Sequence, residues 1–404
     1  MAVGNCRSLN TVMKADTCSG CGACASLAPR AIKMELGETG YARPRQVADV
    51  SSDIDQTIEA VCPGYNVTQS NAEGDDHVLW GPIVKSRTGF STDPKLRHHA
   101  SSGGGLSALL VYLLETNQVD HVVHVHADGQ SPLDNAVVVS DTHQEVFDGA
   151  GSRYAPSSPL ENLHRYLEMP GKFALVGKPC DIAAARAMAK VDARIDLKIP
   201  FMLSFFCAGI PSRKGTVKVI EKLGVAEQDI GSFRFRGDGW PGFATAVAKN
   251  GESKRMSYAD SWGSILSHYV QPRCKICPDG TGASADVVCA DAWESDEKGY
   301  PKFSELEGQS MIISRTNKGE ALVSAALDAG VVSAVPLDVA DIAQMQPGQY
   351  RRKRLVLSRI LAMRAVFVGV PKYTGFQLVR AARIAGFGEN LRSFLGMLRR
   401  LVQT

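Results

Sequence analysis

The chain has 404 residues, of which 44% are hydrophobic and 22% charged. That is room for two or three domains at about 150 residues each, and the balance is that of an ordinary globular protein, which excludes a disordered, collagen-like or coiled-coil chain. No run of about 18 apolar residues predicts a membrane-crossing helix, and the opening MAVGNCRSLN lacks the apolar stretch of a signal peptide. The net charge of +3 is uneven: from Arg351 onward 12 basic residues face one acid, Glu389. A basic tail on a mildly acidic body predicts contact with something anionic. The expected location is the cytoplasm, where thiols stay reduced, so clustered cysteines point to metal or redox chemistry.

In chain order, residues 1–75 are turn-rich, carry five cysteines and show little hydrophobic periodicity. So small a unit buries little surface, so something other than a core must hold it. Residues around 71–88 (SNAEGDDH) predict a polar connector. Over 76–345 short apolar runs alternate with amphipathic stretches. The expected strands are 119–127, 135–140, 173–177, 200–206, 243–248, 286–290 and 311–314, and the expected helices 106–116, 181–190 and 318–329. This alternation predicts an α/β domain, a mixed sheet with flanking helices. From 346 to 404 the pattern is helical and basic, broken at GVPKYTG (369–375).

Cys18, Cys21 and Cys24 have the C-x2-C-x2-C spacing of a ferredoxin cluster loop. Neighbouring irons of a cubane require ligands from one tightly coiled loop, and Gly20 and Gly22 permit the turns. The usual fourth Cys before Pro is Ala28 here, so Cys62, itself followed by Pro63, is the expected fourth ligand. A four-Cys zinc site is the alternative, although zinc sites usually pair two C-x2-C units. A second set is less defined. Cys180 and Cys207 end predicted strands, where α/β sheets place their functional crevice, and Cys274 and Cys277 form a C-x2-C pair. The four could converge on one site, or Cys180 and Cys207 could be buried structural thiols.

Ser101, Ser102, Gly103, Gly104 and Gly105 precede an apolar helix. Such a helix start is either a phosphate cradle or a plain cap. Loops with Arg153 and Tyr154, Arg234 and Arg236, Asp291 and Trp293, and Arg315 suit a flavin and its pyrophosphate or, singly, ordinary packing. No dinucleotide or P-loop fingerprint is present. His124 and His126 lie in an apolar strand and are expected core residues.

The segments TCSGCGAC, ASSGGGLSALLVYLLE, SRYAPSS, VGKPCDIAAAR, FFCAGIPS, FRFRGDGWPG, RCKICPDGTGASADVVCADAW and SRTNKG, in this order, resemble the beta-subunit family of coenzyme F-420 hydrogenases and dehydrogenases. That family includes ferredoxin-linked reductases of chlorophyll intermediates. The resemblance implies a ferredoxin-like N-terminal iron–sulfur segment and an FAD-bearing domain with two 4Fe-4S clusters, on Cys18, Cys21, Cys24 and Cys62 and on Cys180, Cys207, Cys274 and Cys277. It implies FAD held at the stretch Ser101, Ser102, Gly103, Gly104 and Gly105, and the loop residues Arg153, Arg236 and Arg315 are expected to join it. Ala28 departs from the pattern and limits the N-terminal segment to one cluster; Cys289 stands where relatives often have Gly.

The leading expectation is an oxidoreductase that passes electrons from a ferredoxin-like carrier through the clusters to FAD and on to an organic, small-molecule or lipid-linked acceptor. Asp291 or Tyr154 is the expected proton donor. The alternatives are a non-catalytic electron-transfer subunit of a larger hydrogenase or dehydrogenase complex, or a deazaflavin-linked reductase; a homo-oligomer is left open. The basic tail is either a packing helix with a solvated face or a peripheral contact on the inner membrane surface. Aromatic interleaving is too sparse for nucleic-acid binding.

Overall fold

Short valine- and isoleucine-rich runs become strands of one eight-stranded sheet in the computed structural model, which describes residues 4–69, 73–294 and 305–402. The strands are β1 (Lys85–Ser91), β2 (His121–Ala127), β3 (Asn135–Ser140), β4 (Phe173–Val176), β5 (Phe201–Phe205), β6 (Val287–Asp291), β7 (Ser310–Ser314) and β8 (Val332–Pro336). Their spatial order is β8-β1-β7-β6-β5-β4-β2-β3. The pairs β2/β4, β4/β5 and β5/β6 are parallel, with Leu203 opposite both Val176 and Val287. The others are antiparallel.

Successive side chains of a strand point to opposite faces, and both faces are covered. On one, Leu109 and Leu113 of α1 (Gly105–Glu115) and Leu322 and Val323 of α3 (Asn317–Asp328) pack with Val122, Val287 and Ile312. On the other, Ile182 and Ala185 of α2 (Pro179–Ala189) pack with Val123, Leu175, Met202 and Val288. Strands β4 and β7 are buried along their whole length, as a sheet with two covered faces requires.

Three expectations are corrected. The run 243–248 forms its strand, but in a separate three-stranded antiparallel sheet with 230–234 and 253–256. The connector is not purely polar: Leu79 and Trp80 are buried, and β1 begins at Lys85. Strands β1 and β8 were not expected, because their polar residues mask the alternation.

The N-terminal segment holds a helix at Arg7–Lys14, a hairpin of Ile32–Leu36 with Ala42–Gln46, and a helix at Ser52–Val61. The C-terminal region is helical: α4 (Pro347–Ala365) and α5 (Leu378–Val402), the latter broken at Gly386 (φ 70°, ψ 169°). Between them Lys372–Thr374 pairs in parallel with Asn66–Thr68 and ties the two ends of the chain together. Among the described residues no helix is long and apolar enough to cross a membrane.

Candidate redox site

Cys18, Cys21, Cys24 and Cys62 line one small cavity of about 20 Å³, walled by Leu9, Val12, Met34, Ile58 and Val61. Gly20 and Gly22 sit at φ 77° and 86°, so the loop turns tightly enough to aim three thiols at that cavity. Backbone N–H groups point at the sulfurs: Gly20 to Cys18 Sγ at 3.4 Å, Ala23 to Cys21, Ala25 to Cys24, and Gly64 and Tyr65 to Cys62. Burial pushes the Cys21 thiol up to about 12, reinforced by Asp181 and Cys18. Cys24 and Cys62 rise further, chiefly through burial and then through the charge of Cys21 and Cys18. Four such sulfurs become thiolates only against a strong positive charge. N–H donors aimed at sulfur are also what tunes an iron–sulfur centre.

The second set is assembled from the first turn of α2, where Cys180 sits in the helix and not at a strand end as expected, from Cys207 just after β5, and from Cys274 and Cys277 in and after a short helix at Pro272–Lys275. Burial raises the Cys207 thiol to about 12, with Cys274 and Cys277 adding to it. Cys180, also raised by burial, lies in range of Cys207. Arg273 lies in range of Cys180, Cys274 and Cys277, and of Cys18 in the first set. Gln271 reaches both: its Nε2 is 3.5 Å from the Ser19 carbonyl and 3.5 Å from Cys274 Sγ. Among the described residues no group of three or more His, Cys, Asp or Glu side chains is placed to hold a metal ion.

Beside the second set, at the carboxyl ends of β4, β5 and β6, opens a cleft of about 290 Å³. This is the place where α/β sheets bind ligands, and the size is at the low end of small-molecule sites. One wall is the start of α1, with Ser101, Ser102, Gly104 and Gly105; Cys207 lies on another. Arg236 and Asp291 form a two-pronged ion pair (2.9 and 2.8 Å). Arg236 also donates to the Ser101 carbonyl at 2.7 Å and the Tyr154 hydroxyl at 3.3 Å, and lies over the rings of Tyr258 and Trp293. Trp240 Nε1 donates to Asp291 Oδ1 at 2.9 Å.

Several expected site residues land elsewhere in role. Gly103 does not line the cleft; it is backed against Gly308, whose carbonyl oxygen would lie 2.6 Å from any added Cβ. Arg315 is fully buried away from the cleft, donating to the carbonyls of Trp80, Pro82 and Thr281. Arg153 borders the cleft, but its guanidinium serves Asn135 and the carbonyls of Phe233, Pro132 and Asp134. Both carboxylate oxygens of Asp291 are committed to Arg236 and Trp240. Tyr154 does border the cleft.

Sequence reasoning missed Lys178. Its Nζ lies in the cleft wall, 2.7 Å from Asp181 Oδ2 and 3.2 Å from Ser157, and both charged side chains are buried. Burial alone would lower the Lys178 pKa, but the Asp181 carboxylate outweighs it and holds the ammonium above its ordinary value. The signal was present: a lone lysine directly after the buried β4 and before the helix-starting Pro179. Cys289, expected to be incidental, also borders the cleft.

Comparison with known proteins decides the lineage. Residues 87–164 match the family model of the coenzyme F420 hydrogenase/dehydrogenase beta subunit N-terminus, and 171–340 that of its C terminus. The chain belongs to this family. It is 29% identical over 291 residues to a coenzyme F420 hydrogenase subunit beta of Methanococcus voltae, covering 69% of this chain and 92% of that one. It is 28% identical over 217 residues to an F420-dependent formate dehydrogenase subunit beta of Methanocaldococcus jannaschii, covering 52% and 53%. Its fold matches a chain of the F420-reducing [NiFe] hydrogenase complex from Methanosarcina barkeri with a TM-score of 0.58 at 19% identity, covering 75% of this chain and 99% of that one. The family models stop at residue 340, so α4 and α5 lie beyond them.

Proposed function

We propose that this chain is an electron-transfer subunit of a larger oxidoreductase assembly. In this reading the ferredoxin-like N-terminal segment holds one 4Fe-4S cluster on Cys18, Cys21, Cys24 and Cys62. A second rests on Cys180, Cys207, Cys274 and Cys277, and FAD lies in the cleft. The observation that carries it is the bridge of Gln271 and Arg273 between the two cysteine sets, with Cys207 facing the cleft. Bound there, clusters supply single-electron steps and a flavin couples them to two-electron chemistry.

The chain's own residues have definable tasks. The start of α1 offers backbone N–H groups to an anionic cofactor. The Arg236–Asp291 pair braces the opposite wall and, by ring stacking, keeps water from it. Lys178 supplies fixed positive charge beside the cleft, and the Tyr154 hydroxyl is the nearest candidate to hold a transferable proton there. The relatives' names as subunits of F420-dependent enzymes favour the subunit role, with a deazaflavin-type acceptor, over a free-standing ferredoxin-linked reductase. Such a centre belongs in a reducing compartment, the cytoplasm.

The test is anaerobic purification from the native source, with iron, sulfide and flavin quantitation. About eight iron and one FAD per chain, with a stoichiometric partner chain, are expected. A colourless chain overturns the reading. A coloured chain that is alone and reduces an organic acceptor from ferredoxin shifts it to the free-standing reductase.

A further inference from the structure

Helix α5 carries two apolar faces, and the fold covers one. Beyond the break at Gly386, Met397 is buried, and Phe394 and Leu398 pack with it against Val356, Ile360 and Met363 of α4. Phe387, Leu391, Leu395 and Val402 do not join that packing: their exposures are 83%, 44%, 46% and 79%. At 3.6 residues per turn their spacing of four, four and seven puts them in one stripe about 80° wide. Arg392 and Arg399, both exposed, stand about 80–100° round from Leu391 on one flank of that stripe.

An apolar stripe edged by arginines is the pattern of a helix lying in a membrane interface. Charge selects the occupant. From Arg351 onward the chain has 12 basic residues and one acid, and Glu389, the acid, is already paired to Arg354 of α4 at 3.1 Å. An anionic surface is complementary to this region. Residues 387–402 also lie beyond the family-model matches, which end at 340.

We propose that residues 387–402 lie along an anionic lipid surface, with Phe387, Leu391, Leu395 and Val402 between headgroups and acyl chains and Arg392 and Arg399 at the phosphates. The inference stands whether or not the redox reading does. The test is co-sedimentation of the full chain with vesicles of phosphatidylcholine mixed with phosphatidylglycerol, against phosphatidylcholine alone. Binding to the anionic vesicles only, weakening with salt, is expected. Arg392→Gln and Arg399→Gln should each weaken it about fivefold, and Phe387→Ser with Leu391→Ser and Leu395→Ser about tenfold or more. These side chains are exposed, so the thermal unfolding midpoint should stay put. As an independent reading, the fluorescence of Leu391→Trp should shift to the blue on adding anionic vesicles. Absence of vesicle binding by the wild-type chain overturns the proposal, as does equal binding by the triple variant. A wild-type dimer that the triple variant dissociates, without vesicle binding, also overturns it and gives the stripe to a second copy.

Discussion

The N-terminal segment and the central sheet are held in different ways. The segment's own packing is thin: around Cys6, Leu9, Ile32, Val50 and Ile58 the buried partners are mostly alanines, and four thiols face a shared cavity inside it. The sheet is packed on both faces by branched aliphatic side chains from three helices and is braced by buried ion pairs. If the thiols hold a cluster as proposed, that segment's order depends on it, because structural metal binding is folding free energy. The other's order is intrinsic to its side chains.

The sharpest way to break this contrast is to remove a ligand from each cysteine set. Cys62→Ser should lose about half of roughly eight irons and open residues 4–69 to proteolysis while the sheet stays resistant. Cys207→Ser should lose a similar amount of iron without exposing the N-terminal segment. Iron and sulfide assay with limited proteolysis checks both. Full iron in Cys207→Ser would remove the second cluster from the account, and a sheet that unravels with Cys62→Ser would erase the contrast between the regions.

Next in size is the cleft wall. Asp291→Ala leaves the buried Arg236 without its counter-charge, and breaking one partner of a buried pair costs about 3–5 kcal/mol. Chemical denaturation should register that loss while iron content stays at the wild-type level. A loss under about 1 kcal/mol would mean that water or another acid replaces the carboxylate.

Much of this was legible, and for a physical reason. Fully buried strands such as β4 and helices with one apolar face such as α3 are written in local sequence, so their positions fall within a residue or two of expectation. The three-Cys loop was legible because its spacing puts three thiols within a seven-residue stretch, and they line one cavity. What was not legible depends on distant neighbours. Strand β1 mixes Lys85, Arg87 and Thr88 with small residues, and it reads as a strand only because β7 and β8 flank it. Arg315 sits in a loop that looks like a cofactor loop, but three carbonyls from other segments claim its guanidinium. Lys178 escaped notice because its partner, Asp181, lies on the first turn of α2 and reads as an ordinary helix-start acid.

A smaller effect is expected where the regions meet. Arg273 lies in range of sulfurs of both sets and donates to the Pro63 carbonyl at 3.1 Å. A fixed cation beside a cluster favours its reduced, more negative state. Arg273→Gln should lower the reduction potential of the second cluster by about 60 mV, a tenfold change for one electron, and shift the first by less. Spectroscopic redox titration reads both, and equal shifts would put Arg273 midway rather than with the second set.

The smallest effect isolates the sheet from the metal. Arg87 on β1 makes a two-pronged pair with Glu320 on α3, at 2.9 and 2.6 Å, and Ser314 and Ser324 donate to the same carboxylate. Burial alone would raise the Glu320 pKa, but these donors outweigh it and pull it down to about 2. A carboxyl more acidic in the folded than in the unfolded chain stabilises the fold in its ionised form. That contribution is whole above the ordinary glutamate value near 4.3 and disappears as the pH falls through about 2. With solvent screening, Glu320→Gln should cost about 1–2 kcal/mol at neutral pH. The gap from wild type should narrow below pH ~4 and close near pH ~2. Denaturation curves measured across that range check it. Cluster absorbance at neutral pH should be identical in the two proteins, because α3 and β1 supply no ligand to either cysteine set. A variant that sheds iron at neutral pH would show that the sheet's brace and the clusters form one cooperative unit.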